Sequence, residues 1–254
     1  MANRPRLETY LKLCTEYYDL EKHPHDAKAQ DFYLDYALKA NGPILEPMCG
    51  TGRFLIPMLQ AGLNVEGFDA SVHMLNALAQ KYPNIRPHTV WQQFVEDFKG
   101  DKLYQLIFVP YGSWGLITDL ESSSLGLKNM YNHLVPGGKL VLEIETVASV
   151  PADCGIWHRG INTRADGSYI ALNTLPSYNT ITQIFRSICR YESIRKNTIE
   201  LVETEDFQMY LYTFDEFDKF LKDAGFTNIT KYQDHSKTPA TDSNAPIIIY
   251  ECTK

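Results

Sequence analysis

The sequence lacks the features of several common protein classes. Its five cysteines form an odd number with neither metal-ligand spacing nor a disulfide pattern, so we expect reduced thiols and no metal site. It has no apolar signal region and no apolar run long enough to span a membrane, which predicts a soluble, cytoplasmic protein. Positive charge is scarce, because 24 Lys and Arg face 31 Asp and Glu. The net charge of −7 argues against a nucleic-acid partner.

The composition that remains is typical of one globular unit. The 254 residues are 44% hydrophobic, which is ordinary for a folded domain with a sizeable core. There is no internal repeat and no convincing linker, so we expect a single domain over residues 1–254.

One stretch combines an apolar run, a carboxylate and a glycine turn. It extends from Ile44 to Phe54 and contains Glu46, Gly50 and Gly52, and a second run ends in Asp69 one strand-helix-strand unit later. Rossmann-like sheets bind nucleotides at the carboxyl ends of their first strands, where glycines permit close backbone approach and an acid reaches the ribose. The stretch therefore predicts a nucleoside cofactor.

Glu46, the acid just before the glycine turn, indicates which kind of cofactor fits. Glu46 stands where it would repel the pyrophosphate of a nicotinamide dinucleotide, so a nicotinamide-dependent dehydrogenase is the weakest of the readings. A positively charged cofactor would instead be attracted to this carboxylate.

The arrangement resembles motifs I and II of the class I S-adenosylmethionine-dependent methyltransferases, in their bacterial small-molecule form. The resemblance implies that Glu46, Gly50 and Gly52 hold the methionine end of S-adenosylmethionine and that Asp69 binds the ribose. It also implies S-adenosylhomocysteine as the product. Met48 stands where the family often has its first glycine, a departure that puts the local shape of the turn in question.

Apolar periodicity and turn signals predict the architecture. We expect an α/β fold with a Rossmann-like, seven-stranded, mostly parallel sheet whose last strand is antiparallel. Its parts are a helical cap at 1–42, a cofactor-binding core at 43–150, a β-rich lid insertion at 151–212, and a final helix and β-hairpin at 213–254.

Further cofactor contacts are predicted around the motif. Arg53 either reaches the cofactor carboxylate or lies on a helix surface, and Met74 either flanks the adenosine or fills core. Phe94 stands where the family often has an acid for adenine, so the adenine contact is left to Gln92, Gln93 or the backbone. The full set of predicted cofactor contacts is Tyr18, Glu46, Met48, Gly50, Gly52, Arg53, Asp69, Ala70, Met74, Gln93, Phe94, Val109 and Pro110.

Four side chains are candidates for the acceptor side of the site. Tyr111 and Ser113 follow the fourth strand, and Tyr18 belongs to a Tyr-Asp pair similar to one that covers the site in small-molecule members of the family. His158, in the insertion, is the candidate base. Each has a structural alternative: helical core for Tyr18, an ordinary hairpin face for His158, and a purely structural role for Tyr111 and Ser113.

The sequence thus predicts methyl transfer from S-adenosylmethionine to a nitrogen or oxygen of a small-molecule acceptor, by a monomer or homodimer. Two alternatives stay open: methylation of a protein or nucleic acid, and a non-catalytic module that binds S-adenosylmethionine.

Overall fold

Helices and strands alternate through most of the chain in the computed structural model, which describes Leu7, residues 9–21 and residues 26–254. Residues 1–6, 8 and 22–25 of the predicted helical cap lie outside the described residues. The elements in chain order are α1 (Lys12–Leu20), α2 (Asp26–Lys39), β1 (Ile44–Pro47), α3 (Leu55–Gln60), β2 (Val65–Asp69), α4 (Val72–Lys81), β3 (Val90–Gln92), β4 (Tyr104–Val109), α5 (Leu120–Asn132), β5 (Leu134–Glu145), β6 (His158–Thr163), β7 (Tyr169–Asn179), β8 (Ile184–Arg195), β9 (Thr198–Tyr210), α6 (Glu216–Ala224), β10 (Thr227–Tyr232) and β11 (Ile247–Thr253).

Seven strands form the central sheet in the order β10-β11-β5-β4-β1-β2-β3. The pairs β1–β2, β1–β4, β2–β3 and β4–β5 are parallel, whereas β11 is antiparallel to both β5 and β10. The predicted Rossmann-like sheet with an antiparallel last strand is therefore confirmed. The order reverses between β1 and β4, and ligands bind at such a switch point in open α/β sheets.

Hydrophobic side chains cover both faces of this sheet. Successive side chains on a strand point to opposite faces, so Ile107 and Val109 of β4 pack in one cluster and Leu106 and Phe108 in the other. Helices α5 and α6 complete the first cluster, here called the α5–α6 cluster, and α2 and α3 complete the second, the α2–α3 cluster. Side chains at the carboxyl ends of the strands consequently lie in surroundings with little water. None of the described helices is long and apolar enough to cross a bilayer.

β5 begins earlier than the sequence predicts. The expected strand starts at Lys139, after the turn Pro136–Gly138, yet the strand already begins at Leu134. Leu134 pairs with Tyr104 of β4, so the ladder begins before the turn. The Gly137 amide donates to the carbonyl of Lys254 and the Lys254 amide to that of Gly138, each at 3.0 Å, so the residue after β11 continues the pairing through the turn.

The predicted β-rich insertion is a separate antiparallel sheet in the order β6-β7-β8-β9. The chain enters it after β5 and returns beside the same point, where the Tyr212 amide donates to the carbonyl of Glu145 at 3.2 Å. A Cβ added to Gly115 would lie 3.0 Å from the carbonyl oxygen of Tyr210, so the missing side chain lets the end of β9 approach the turn after β4. The insertion is thereby anchored near the carboxyl ends of the central strands.

Helix α1 packs on the insertion sheet through an apolar and a polar contact surface. Tyr17 of α1 meets Tyr191 of β8 edge to face at 5.9 Å between ring centroids. The Glu205 carboxylate on β9 accepts from the amides of Tyr10 and Leu11 at 3.1 and 2.7 Å. Leu11 is the N-cap residue of α1 and Tyr10 precedes it, so an acid from another element lies at the start of the helix and complements its positive end.

A buried hydrogen-bond chain joins α5 to the end of the insertion. The Trp114 indole Nε1 donates to Ser123 Oγ at 2.8 Å, and Ser123 Oγ lies 3.1 Å from Tyr212 Oη. All three side chains are buried, and the serine hydroxyl satisfies two polar groups at once.

The substitution Ser123→Ala is expected to lower the free energy of unfolding by about 1–3 kcal/mol, because it leaves the buried Trp114 N–H without an acceptor. Urea denaturation measures the loss. Ser124→Ala changes the next, exposed residue of the same helix and is expected to stay within about 0.5 kcal/mol of the parent protein. If the two substitutions lower the free energy of unfolding equally, the Trp114–Ser123–Tyr212 hydrogen bonds do not contribute to stability.

Candidate active site

The turn that follows β1 and leads into α3 has three residues in the left-handed region. Met48, Gly50 and Gly52 have φ values of 58°, 55° and 82°. Met48 therefore adopts the conformation that a glycine would adopt at this position, and the turn keeps its backbone shape at a cost of about 1–2 kcal/mol. The side chain of Met48 packs against the α5–α6 cluster, which helps to offset this cost.

The two glycines of the turn serve different purposes. A Cβ on Gly52 would lie 3.0 Å from side-chain atoms of Ile56 and Leu78, so this glycine is needed for close packing of the helices. A Cβ on Gly50 would meet nothing within 4 Å. The open side of Gly50 therefore leaves room for a group outside the protein.

Glu46 is the buried acid at the end of β1. Its side chain lies in a residue that is 1% exposed, and its Oε2 is one of the few buried side-chain oxygens without a hydrogen-bond partner in the described structure. Burial first, and then the nearby Asp69 carboxylate, raise the pKa of Glu46 well above its usual value. A buried carboxylate without a partner is costly to the fold and suited to a cationic ligand.

Asp69, at the end of β2, is held by backbone amides. Its Oδ2 accepts from the amide of Gly50 and its Oδ1 from the amide of Ser71, both at 2.8 Å. Burial raises the pKa of Asp69, and the amide hydrogen bonds partly offset the rise. Each carboxylate oxygen keeps a further lone pair, so the group can still accept from a ligand hydroxyl.

The residues that follow β2 and β3 lie beside Asp69. The carbonyl of Ala70 accepts from Gln92 Nε2 at 2.9 Å, and the amide of Gln93 donates to the carbonyl of Asp69 at 3.0 Å. Phe94 is partly buried at the start of a short 3-10 segment.

The predicted contact Met74 is buried on α4. Its amide donates to Ser71 Oγ at 3.2 Å, and Ser71 is thereby the N-cap of α4, as the sequence predicts. The adenosine contacts proposed for Met74, Gln93 and Phe94 stay predictions.

Tyr18, Arg53 and Tyr111, all predicted site residues, come together in one stack. The guanidinium carbon of Arg53 lies 4.2 Å from the ring centre of Tyr18 and 5.4 Å from that of Tyr111. Arg53 Nη2 also lies 3.4 Å from the carbonyl oxygen of Tyr18. Cation–π contacts of this kind fix a guanidinium between two aromatic rings.

Helix α1 reaches the glycine turn through contacts that the sequence did not single out. Thr51 Oγ1 donates to Asp19 Oδ1 at 2.6 Å, and Lys81 Nζ lies 2.8 Å from the same oxygen. Ser71 Oγ donates to the carbonyl of Tyr10 at 2.8 Å. The only sequence signal for this arrangement was the Tyr-Asp pair that contains Asp19.

The end of β4 brings strained backbone to the same edge. Val109 and Pro110 are buried, and Tyr111 and the following Gly112 have φ values of 56° and 62°. Ser113 Oγ donates to the carbonyl of Pro110 at 2.9 Å, so its hydroxyl stabilises the turn. Positive φ at a residue such as Tyr111 is costly and is found preferentially at functional sites.

His158 lies apart from these groups, at the start of β6. Its Nε2 is 3.3 Å from Asp153 Oδ2, without the geometry of a hydrogen bond, and its side chain is 41% exposed. The contacts that the structure gives His158 lie within the insertion and do not reach Tyr111 or Ser113. Its role as a base stays a prediction.

Two surface hollows lie elsewhere. One has a volume of about 420 Å³ beside α5, and the other, of about 610 Å³, lies between the N-terminal segment and the strands β8 and β9. The unpartnered buried groups Glu46 and Tyr33 lie at neither hollow. We therefore place the candidate site at the strand edge, where the buried polar groups converge.

Known proteins resemble this chain in sequence. The family model described as "Methyltransferase domain" matches residues 22–231. A Bacillus subtilis (strain 168) protein named "Putative methyltransferase YqeM" is 25% identical over 139 residues, which are 54% of this chain and 56% of that protein. The chain thus matches just over half the length of this relative.

Solved structures share the fold. An S-adenosylmethionine-dependent methyltransferase from Clostridium acetobutylicum ATCC 824 is 18% identical with a TM-score of 0.74, over 89% of this chain and 91% of that one. The sugar N-methyltransferase KedS8 from Streptoalloteichus sp ATCC 53650 is 14% identical with a TM-score of 0.77, over 100% and 98%. Because the family model spans residues 22–231, most of the protein, this chain belongs to the methyltransferase-domain family.

Proposed function

We propose that the protein transfers a methyl group from S-adenosylmethionine to a nitrogen or oxygen of a small-molecule acceptor. The observation that carries the proposal is the buried Glu46 carboxyl group, whose Oε2 has no hydrogen-bond partner in the described structure, in the same turn region as the open face of Gly50. A ligand with an ammonium group would satisfy this buried acid, and a sulfonium adds a second positive charge.

The residues at the strand edge fit the parts of this cofactor. Glu46 would hold the ammonium, the open face of Gly50 would accommodate the methionine moiety, and the free lone pairs of Asp69 would accept from the ribose hydroxyls. Met74 and Phe94 are proposed to flank the adenine. When bound, S-adenosylmethionine supplies a methyl group that is already electrophilic.

The protein's own contribution is mainly to position the acceptor and to exclude water. The Tyr18–Arg53–Tyr111 stack lies over the strand edge, and α1 links this stack to the insertion. Alignment of the acceptor with the methyl group is expected to supply most of the rate, because the leaving group is neutral and needs no proton. Tyr111 is proposed to orient the acceptor, with Ser113 supporting the turn.

Two observations support a small acceptor. The protein carries a net charge of −7, which opposes binding to phosphate backbones. Solved structures of the same fold include a sugar N-methyltransferase and CalS10 of Micromonospora echinaspora, an amino pentose methyltransferase. Methylation of a macromolecule and a purely cofactor-binding role are the alternatives to be tested.

Incubation of the protein with methyl-labelled S-adenosylmethionine and a fractionated cell extract tests the function. We expect label in the low-molecular-mass fraction, together with an equal amount of S-adenosylhomocysteine. Label confined to protein or nucleic acid would contradict the small acceptor. Cofactor binding without turnover in any fraction would favour the non-catalytic alternative.

The substitution Glu46→Gln is expected to weaken S-adenosylhomocysteine binding at least about tenfold, or about 1.4 kcal/mol, because the ammonium loses its counter-charge. It is also expected to raise the free energy of unfolding at neutral pH by about 1 kcal/mol, because an acid whose pKa is raised by folding destabilises the native state as pH rises above its unfolded pKa. Calorimetry and urea denaturation measure the two effects.

Glu66→Gln is the matched control for this substitution. Glu66 lies on the neighbouring β2 but pairs with Lys102 at 2.5 Å and accepts from Tyr104 at 3.0 Å. We expect it to leave cofactor affinity unchanged and to give no gain in stability. A Glu46→Gln variant that binds as tightly as the parent protein would contradict the proposed ammonium site.

Binding of S-adenosylhomocysteine is expected to release protons. Because its pKa is raised, Glu46 is protonated in a larger share of ligand-free molecules than an ordinary glutamate would be. The ammonium group of the bound ligand favours the ionised form of Glu46. The affinity for the ligand therefore rises with pH as Glu46 loses its proton. Calorimetry at about pH 6, in buffers of different ionisation enthalpy, measures this release while the ligand amine stays protonated. The number of protons released on binding should be smaller for Glu46→Gln. If that number is unchanged, the protons come from a group other than Glu46.

A further inference from the structure

A second buried acid lies at the carboxyl edge of the sheet, on the same face as Glu46. Val109 of β4 pairs with Leu142 of β5, so Glu143 lies one residue further along, level with Pro110. Its side chain follows Val141 on the face of the α2–α3 cluster, and Glu143 is 3% exposed. Glu143 therefore lies at the same sheet edge as the proposed cofactor site, on the side of β4 away from β1. We call this the acceptor side.

Glu143 is paired with a histidine from the β10–β11 connection. His235 Nε2 lies 2.9 Å from Glu143 Oε2, and the histidine side chain is 11% exposed. The ring of His235 packs 5.4 Å from that of Phe32 and 6.0 Å from that of Tyr33. A buried carboxylate thus orients an imidazole and leaves its Nδ1 as the nitrogen that can exchange a proton.

Tyr33 of α2 lies between the two acids. Its ring is 5.4 Å from that of Phe108 on β4, and Glu46 on β1 is level with Phe108 because Leu45 pairs with Ile107. The Tyr33 hydroxyl is fully buried and, in the described structure, has no hydrogen-bond partner. Burial, with Glu143 and Glu46 contributing, raises the pKa of Tyr33, so the phenol stays protonated.

An unpartnered buried hydroxyl costs a fold about 1–3 kcal/mol and calls for an explanation. Packing alone does not explain it here, because a phenylalanine would fill the same space among Phe32, Phe54 and Phe108. The Tyr33 ring packs 5.2 Å from that of Phe54, which in turn packs 5.1 Å from that of Tyr111, two residues after the end of β4. A polar group reaching the strand edge from outside would satisfy the Tyr33 hydroxyl.

We infer that His235, oriented by Glu143, is the base that takes a proton from the methyl acceptor, with Tyr33 positioning the acceptor. The inference rests on the proposed methyl transfer. His235 is the proposed catalytic residue, and Glu143 and Tyr33 are positioning residues. This inference replaces His158, the base predicted from the sequence, with His235, whose partner Glu143 is 92 residues away in the chain.

The proton and electron pairs balance as follows. The N–H or O–H bond of the acceptor breaks, and its proton goes to His235 Nδ1. The electron pair left on the acceptor forms the new bond to the methyl carbon, and the pair of the broken carbon–sulfur bond stays on sulfur. The Glu143 carboxylate stabilises the imidazolium that results, as a buried carboxylate does in hydrolase triads.

The charges around His235 are Glu143 on β5, the neighbouring Asp234, and Lys237 on the same connection. His235 counts among the groups that lower the pKa of Asp234. Lys237 Nζ lies 5.7 Å from the ring centre of Phe32, the ring that also contacts His235. On α2, Tyr33 contacts the His235 ring, and Asp35 and Tyr36 contact Lys237.

The test uses the full protein, S-adenosylhomocysteine as the binding probe, and the extract fraction that accepts label as the substrate. His235→Gln and Glu143→Gln are expected to bind S-adenosylhomocysteine within about twofold of the parent protein, but to lower kcat by about 10²–10⁴. In His235→Gln the rise of kcat with pH should also disappear. Unchanged binding and an unchanged pH profile in His235→Gln would overturn the inference and leave the proposed function intact.

Two further variants separate the alternatives. His88→Asn changes an exposed histidine with φ of 65° to a residue that tolerates this conformation, and should keep the parent kcat and pH profile. If His158→Gln, rather than His235→Gln, loses the rise of kcat with pH, the base is His158 and the inference is wrong. If the parent protein itself does not bind S-adenosylhomocysteine, the proposed function is wrong.

Tyr33→Phe gives a readout that does not depend on turnover. Removal of an unpartnered buried hydroxyl is expected to raise Tm by about 2–4 °C, while kcat falls and S-adenosylhomocysteine affinity is kept. A purely structural hydroxyl would give the opposite change in Tm. Tyr36→Phe is the comparison one turn along α2, because Tyr36 Oη donates to Glu251 and its loss should lower Tm. A lower Tm for Tyr33→Phe would overturn the role of this residue.

Discussion

The burial of carboxylates at one edge of a parallel sheet is the constraint on which the site depends. Both faces of the sheet are covered, so the acids that end β1 and β2 lose water at the same place, and burial raises the pKa of each. The nearby Asp69 carboxylate raises the pKa of Glu46 further. Asp69 recovers part of this cost through the amides of Gly50 and Ser71. Glu46 Oε2 has no hydrogen-bond partner in the described structure, and the proposed cationic ligand would relieve this remaining cost.

Helix α1 connects this edge to the insertion. Acids on β9 hold its first turn, Arg164 of the insertion pairs with Glu16, and Asp19 near its end accepts from Thr51 in the glycine turn. One short helix therefore contacts both the insertion and the turn. Displacement of the insertion would break the charged contacts that cap α1, so the shape of the strand edge depends on where the insertion lies.

The acceptor side of the edge differs in kind from the cofactor side. Arg53 lies between two aromatic rings, whereas Glu143 and His235 form a buried hydrogen-bonded pair beside the Tyr33 hydroxyl, which has no partner in the described structure. Buried polar groups of this kind weaken a fold unless each has a partner. Their presence on one face, next to a strained turn at Tyr111, is better explained by chemistry at this edge than by stability.

The sequence by itself determined the order of strands and helices, the glycine turn and the pair of acids at β1 and β2, because these depend on local periodicity and on residues close together in the chain. It left the turn at Met48 in question, since only the packed structure shows that this residue adopts positive φ. Tertiary structure alone decided which distant side chains meet. Glu143 and His235 are 92 residues apart, and no spacing rule joins an inward residue of β5 to the β10–β11 connection. Tyr33 likewise reads as helical core from periodicity, and only its burial between two acids distinguishes its hydroxyl.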